Sequence, residues 1–300
     1  MNFIKSLKII FSAIDKHPLA KKHKIHAYSI FLKWQLSQMI FPGIRKVKFI
    51  GNTFLLAHKG MTGATGNIYC GLHEFEDMGF LLHFLRDEDT FIDIGANIGS
   101  YTILASGVCG ANTISFEPVP ETFIHLQNNI KVNGIEKLVS LHNEAVGAAA
   151  GKLNFTSGLD TVNHVLLGDE IKDTKIIEVK VNTLDAKMEN SHSLLLIKID
   201  AEGFETEVLN GMEITLENKL LKAIIIELNG SGMRYGYSDQ SIHEKLLANN
   251  FLPYKYDPFN RKLSPLATFL ETNTIYLRDY SFVEERITSA KKVSVFSETF

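Results

Sequence analysis

Residues Thr90 to Thr102 read Thr-Phe-Ile-Asp-Ile-Gly-Ala-Asn-Ile-Gly-Ser-Tyr-Thr, an apolar strand that passes through two glycines into a helix. The chemical positions are Asp93, Gly95, Asn97 and Gly99, spaced as Asp-x-Gly-x-x-x-Gly. Gly95 lets the backbone turn against a ligand, and Gly99 lets the following helix start close to the strand. A pyrophosphate cradle would read Gly-x-Gly-x-x-Gly, so this spacing suits a nucleotide-type cofactor without a pyrophosphate. Further on, Asn112 to Pro118 ends an apolar strand with Glu117, and Pro118 and Pro120 break the strand before the next helix. A carboxylate there can accept hydrogen bonds from both hydroxyls of a ribose. The two segments together read as a site for S-adenosylmethionine.

A third segment, Leu194 to Glu205, is a buried strand opening into Asp200, Glu202 and Glu205. Ligands of open α/β sheets bind at that end of the strands. Glu205 sits at a helix start, where negative charge is favoured, so it reads as a dipole partner. Asp200 and Glu202 are the candidates for a catalytic base, since clustered carboxylates raise one another's pKa. Glu227, ending the strand Ala223 to Glu227, points towards the same rim, and a divalent cation bridging these carboxylates is an open alternative. His164, in the polar stretch Asp160-Thr161-Val162-Asn163-His164, is a third candidate base, with an ordinary turn histidine as its plainer reading. His73 and Glu74 precede the cradle and either cap the cofactor's amino-acid end or order the entrance.

The elements that must position these groups alternate from residue 90 onward. The cradle strand, a helix, the Glu117 strand, a helix over Glu121 to Val132, and a strand over Val139 to Val146 come first. A turn, a short strand at Lys152 to Thr156, a polar loop from Ser157 to Asp173, and strands at Ile176 to Leu184 and Leu194 to Ile199 follow. Then come a helix over Glu205 to Glu217, the strand Ala223 to Leu228, a helix near Ser241 to Ala248, and strands at Phe251 to Tyr256 and Thr272 to Leu277. That order predicts a mainly parallel sheet covered by helices on both faces, its last strand antiparallel at the edge.

Ahead of the sheet, Phe3, Ile4, Leu7, Ile10, Phe11 and Ile14 recur at helical spacing, predicting an amphipathic helix that either packs on the main domain or meets anionic lipid through residues 1–16. A second helix is expected over His26 to Met39, and Val47 to Ala57 reads as a strand in a hairpin or meander. The chain thus divides into a basic helical extension (1–45), a lead-in (46–89), a cofactor domain (90–282) and a tail (283–300). Residues 1–48 carry ten Lys or Arg and one acidic residue, whereas the whole chain has a formal charge of only −3. That net charge favours no nucleic-acid partner. Cys70 and Cys109 are too few for a disulfide framework and lack metal-ligand spacing, and no apolar run is long enough to span a bilayer. Reduced thiols in a cytoplasmic protein are expected.

The motifs Asp-x-Gly-Ala-Asn-x-Gly-x-Tyr-Thr, Phe-Glu-Pro and Ile-Lys-Ile-Asp-x-Glu-Gly-x-Glu, in this order, resemble those of the FkbM-type methyltransferases over roughly residues 68 to 280. The resemblance implies a class I, Rossmann-like methyltransferase fold, with seven strands and the last antiparallel. It also implies methyl transfer from S-adenosylmethionine to a hydroxyl of a sugar, polyketide or related metabolite. By motif position, Asp93, Gly95, Asn97 and Gly99 would line the methionine part of the cofactor, Glu117 the ribose, and Glu144 or its neighbours the adenine. Glu74 and Asp200 complete the expected cofactor contacts. Two other classes stand beside this one: a nicotinamide-dependent oxidoreductase, opposed by the glycine spacing, and a non-catalytic protein that retains the cofactor pocket. Acceptor specificity is expected in the 157–173 loop, the segment after Glu227 and the N-terminal region.

Overall fold

The computed structural model describes residues 3–157, 163–166, 175–188 and 193–300. In chain order its elements begin with α1 (Phe3–Lys16), a 3-10 turn (Ala20–His23), α2 (Lys24–Ile40), β1 (Arg45–Lys48), β2 (Phe54–Ala57), α3 (Thr62–Cys70) and α4 (Phe75–Phe84). The cradle follows as β3 (Thr90–Ile94) and α5 (Ser100–Thr102), the latter continued by a wider π-helical turn (Ile103–Val108). Next are β4 (Asn112–Phe116), α6 (Pro120–Asn133), β5 (Val139–His142), β6 (Ala145–Val146), β7 (Gly151–Ser157), β8 (Lys175–Asn182), α7 (Leu184–Met188), β9 (Leu194–Ile199), α8 (Glu205–Asn210) and α9 (Glu213–Glu217). The chain ends with β10 (Ala223–Glu227), α10 (Asp239–Ala248), β11 (Leu252–Asp257), β12 (Lys262–Pro265), β13 (Asn273–Leu277), α11 (Tyr280–Thr288), β14 (Ser294–Val295) and β15 (Glu298–Thr299).

The central sheet runs β5-β4-β3-β9-β10-β13-β11-β12. The first five of these strands are mutually parallel, and β13 runs antiparallel to both its neighbours. This is the class I methyltransferase arrangement of seven strands, extended by β12, which forms a hairpin with β11. One expectation is corrected: the last strand of the sheet lies inside it, between β10 and β11, and not at the edge. β13 is buried along its whole length, and an apolar Asn-Thr-Ile-Tyr-Leu strand gains more from neighbours on both sides than from an exposed edge. The strand expected over Val139 to Val146 is also divided, because β5 joins the main sheet and β6 pairs with β8 in a small separate sheet. The helix expected over Glu205 to Glu217 breaks into α8 and α9 at Gly211, where a side chain would collide with the Gly147 backbone.

Side chains alternate across the sheet into two cores. Ile92, Ile94, Ile197, Ile199, Ile224 and Ile226 face Val208, Leu209, Ile242 and Leu246 of the helices on one side. Phe91, Leu196, Ala223 and Ile225 face α4 and α11 on the other. The C-terminal segment belongs to this second core: Val283, Ile287, Val295 and Phe300 are buried in it, and Arg286 of α11 pairs with Asp89 and donates to the Phe84 carbonyl at 2.9 Å.

At the N-terminus Leu7, Ile10, Phe11 and Ile14 of α1 pack against a third core with Phe31, Trp34, Leu55 and Tyr69, so these four positions of the stripe meet the main body. The β1-β2 hairpin is fastened to α6, whose Asn133 and Asn129 side chains accept from the Phe54 and Leu56 amides at 2.7 Å each. Asn129 also donates to the Ile98 carbonyl at 2.8 Å, tying the lead-in to the cradle turn. Both cysteines are free, and among the described residues no helix is long and apolar enough to cross a membrane.

Candidate cofactor and acceptor site

A cavity of about 370 Å³ opens where β3, β4, β9 and β10 end, and it is lined by residues of all three motifs. Its first half comes from β3 and β4. Gly95 has φ of 77°, and a side chain there would overlap the Asp200 carbonyl oxygen, so the glycine permits the two strand-end loops to touch. The Gly95 and Ala96 amides both donate to the Phe116 carbonyl, at 3.0 and 2.9 Å, which ties the cradle turn to the end of β4. Glu117, one residue further, accepts from the amides of Asn97 at 3.0 Å and Val119 at 2.9 Å. An ionised carboxylate offers about four acceptor positions, so two remain for a ribose diol. Burial pushes the Glu117 carboxyl up to about 7 against the pull of these two amides.

Asp93 is buried beneath the turn and accepts from the Thr102 hydroxyl at 2.7 Å. Burial raises its pKa, and Lys198, directly across from it on β9, opposes the rise. Asn97 lines the cavity, whereas Gly99 does not. Gly99 has φ of 89°, and a side chain there would strike Leu126 of α6, so its part is the close approach of helix to turn. Glu144 lines the cavity with its carboxylate already engaged by Lys187 and the Asn182 amide, and by Lys180 at 3.6 Å. Burial works against ionisation, yet these partners hold its pKa below the ordinary value.

The second half, from β9 and β10, is built differently. Lys198 stands in an otherwise apolar strand and is buried, with its ammonium 2.7 Å from Asp200 Oδ2 and 4.8 Å from the centre of the Tyr101 ring. Burial alone would lower its pKa, but the carboxylates of Asp200, Glu74 and Asp93 more than reverse this. Glu74 borders the cavity and accepts from the Asn273 amide at 2.9 Å. Asp77 accepts from the same amide at 3.2 Å and is pushed up to about 7 by burial and by Glu74.

Carboxylate oxygens of Asp200, Glu202 and Glu227 lie within 4.8 Å of one another. Burial, with the charge of Asp200 added, raises Glu202 to about 7 and Glu227 to about 8. Glu205 is nearly fully buried and accepts from the amides of Ala201 at 2.9 Å and Gly203 at 3.2 Å. It therefore shapes the acidic loop, a more specific duty than favouring the helix dipole.

His164 is not among the residues that line the cavity, although its neighbour Asn163 is. Its backbone pairs with Thr156, the amide donating to the Thr156 hydroxyl at 2.9 Å. Residues 158–162 and 167–173 of the expected specificity loop lie outside the described residues. His73 does line the cavity, as do Thr62, Gly63 and Asn67 of α3, an element with no sequence expectation attached. Lys198 is the other functional position the motif reading passed over, and its signal was plain: one lysine inside Leu-Leu-Leu-Ile-Lys-Ile.

The topology, the amide-anchored glutamate after β4 and the glycine turn after β3 define a class I methyltransferase fold, and the acceptor positions left on Glu117 fit the ribose hydroxyls of S-adenosylmethionine. The description Methyltransferase FkbM domain matches residues 93–253, more than half of the chain, and the protein belongs to that family. S-adenosylmethionine is the family's methyl donor, which sets aside the nicotinamide alternative. Hexuronic acid methyltransferase AglP of Haloferax volcanii is 26% identical over 152 residues, covering 50% of this chain and 59% of that protein. Methyltransferase 1 of Beauveria bassiana is 28% identical over 149 residues, covering 42% of this chain and 59% of that protein. The chain thus spans less than two thirds of either relative. An rRNA methylase from Streptococcus thermophilus shares 15% identity at a TM-score of 0.40, covering 67% of this chain and 93% of that chain.

Proposed function

We propose that this protein is an O-methyltransferase that passes the methyl group of S-adenosylmethionine to a hydroxyl of a carbohydrate, with a uronic acid as the first class to test. The observation that carries this reading is the single cavity that joins the Glu117 cradle to the Asp200, Glu202 and Glu227 rim. The name of the Haloferax volcanii relative supports the sugar acceptor.

The bound cofactor would supply an already activated methyl carbon. The protein's part is to hold an acceptor oxygen in line with it, and positioning of this kind is worth about 7 to 11 kcal/mol. A sugar hydroxyl is a weak nucleophile at neutral pH, so a carboxylate that takes its proton during transfer adds roughly 10² to 10⁴ in rate. Glu202 is our choice of base, since it lines the cavity beside Asp200 and burial pushes its carboxyl up to about 7, where it can be ionised yet basic at working pH. Asp200, held by Lys198, is better suited to positioning, and His164 is set aside as a base.

Calorimetric titration with S-adenosylhomocysteine, on the wild type and on Glu117→Ala, tests the pocket before the acceptor is known. Micromolar binding weakened by the substitution supports the reading, and absence of binding to the wild type sinks it. Incubation of labelled S-adenosylmethionine with free hexuronic acids and their glycosides then tests the acceptor class. Cofactor binding without transfer to any sugar would favour a non-catalytic module.

A further inference from the structure

α2 has two apolar faces, and only one of them is covered. Ala27, Phe31, Trp34 and Gln38 are buried against α1, α3 and β2, with Phe31 and Tyr69 in edge contact at 5.2 Å. Ile25, Leu32, Leu36, Met39 and Ile40 recur on the opposite side at helical spacing and are exposed, as are Phe41 and Ile44 immediately beyond the helix. Met39, Ile40 and Phe41 expose 74%, 66% and 61% of their surface. Several large apolar side chains left exposed together on one face of a helix form a patch that calls for a partner.

The charge around it identifies which. Residues 16–73 contain nine Lys or Arg and no Asp or Glu, whereas residues 74–300 contain 20 Lys or Arg and 33 Asp or Glu. Lys33 is exposed beside the apolar ridge, and Lys46 and Lys48 are exposed on alternate positions of β1 directly after Ile44. We infer that the outer face of α2, with Phe41, Ile44 and the lysines that flank them, is a docking surface for a membrane bearing anionic lipid headgroups. The apolar side chains enter the headgroup boundary while the lysines meet the phosphates, which is how interfacial helices divide the work. A second copy of the chain fits less well. A two-fold interface sets each patch against its own image, and here that opposes lysine to lysine, while the nearby carboxylates of Asp15 and Glu298 are already paired with Lys24 and with Lys22 and His23. The surface also differs from the α1 stripe suggested by the sequence, whose Leu7, Ile10, Phe11 and Ile14 pack on the third core.

Flotation of the full chain with phosphatidylcholine vesicles, with or without about one third phosphatidylglycerol, tests this. Binding to the anionic vesicles is expected, falling on the order of tenfold or more in Lys33→Gln/Lys46→Gln/Lys48→Gln and at raised salt. Leu36→Asp/Ile40→Asp should lower it at least about tenfold. All five positions are exposed, so thermal unfolding should match the wild type; should the double variant fail to fold, the lysine variant still decides. Three outcomes overturn the proposal: equal binding to both vesicle types, binding to neither, or a concentration-dependent dimer in sedimentation that Leu36→Asp/Ile40→Asp abolishes.

Discussion

The two halves of the cavity hold their carboxylates in opposite ways. On the β3 and β4 side, Glu117 is fixed by two backbone amides and Asp93 by a buried hydroxyl, so each acid has a neutral donor of its own, although Lys198 also faces Asp93 from β9. On the β9 and β10 side, Asp200, Glu202 and Glu227 stand together with the buried Lys198, which bonds to Asp200. Neutral donors fix an orientation without fixing a charge, which suits recognition of a cofactor. Unevenly compensated charge leaves protons mobile near neutral pH, which suits chemistry.

Removal of Lys198 breaks this contrast most severely. Lys198→Met leaves Asp93, Asp200 and Glu74 without their shared cation and should destabilise the protein by about 3 to 5 kcal/mol at neutral pH. The loss should shrink as pH falls, because protonated carboxyls no longer need the ammonium. Chemical denaturation of wild type and variant at two pH values checks this; an equal loss at both would mean that packing, not charge, is the lysine's contribution.

Next in size is Glu202→Gln, which should lower kcat by roughly 10² to 10⁴ while leaving S-adenosylhomocysteine affinity nearly unchanged. In the wild type, turnover should rise with pH through about 7 as Glu202 ionises, and the variant should lose that limb. Stability of the cofactor-free protein should run the other way. Glu202 and Glu227 have folded-state pKa values raised to about 7 and about 8 from the ordinary 4.5. The folded state therefore binds more protons across that window, and its stability is full below about 4.5 and declines as pH climbs towards 8. Melting temperatures that rise over this range would contradict the raised pKa values of the half-buried acidic rim.

Glu117→Ala tests the other half. Loss of a charge-assisted pair of bonds to ribose should cost about 1.5 to 3 kcal/mol, or roughly ten- to a hundredfold in S-adenosylhomocysteine affinity, with the apparent pKa of turnover unmoved. A shift of that pKa would show that the two halves are electrically one site.

The same contrast explains what could be read in the sequence. The first half is local: Asp93 to Gly99 is one strand-turn-helix, and Glu117 follows from the end of the next strand, so spacing alone located them. Register carried the rest. Lys198 meets Asp93 only because β9 pairs directly with β3 across a hundred residues of intervening chain, and no periodicity reports that pairing. α3 is illegible for a related reason. Thr-Gly-Ala-Thr-Gly-Asn has poor helix propensity, and packing on α2 and β2 holds it in place, yet its Asn67 donates to Ser100 at 3.1 Å and it forms one wall of the cavity. The antiparallel β13 was expected, but its insertion beside β10 depends on the β11-β12 hairpin claiming the edge.

The smallest expected effect concerns a divalent cation. The spacing of Asp200, Glu202 and Glu227 would suit a hard ion with oxygen ligands. However, one oxygen of Asp200 already holds the Lys198 ammonium, and the raised pKa values of the other two acids mean that protons compete for them near neutral pH. An ion arriving there would have to displace those protons and share Asp200 with the ammonium. Dialysis against a chelator should therefore change turnover by less than about twofold, within the effect of losing a weakly held surface ion. A loss of about tenfold or more, restored by magnesium or manganese, would reverse the assignment. Asp200 would then divide its two oxygens between the ion and the Lys198 ammonium, and Lys198→Met would lose part of its predicted pH-dependent penalty whenever the ion was bound.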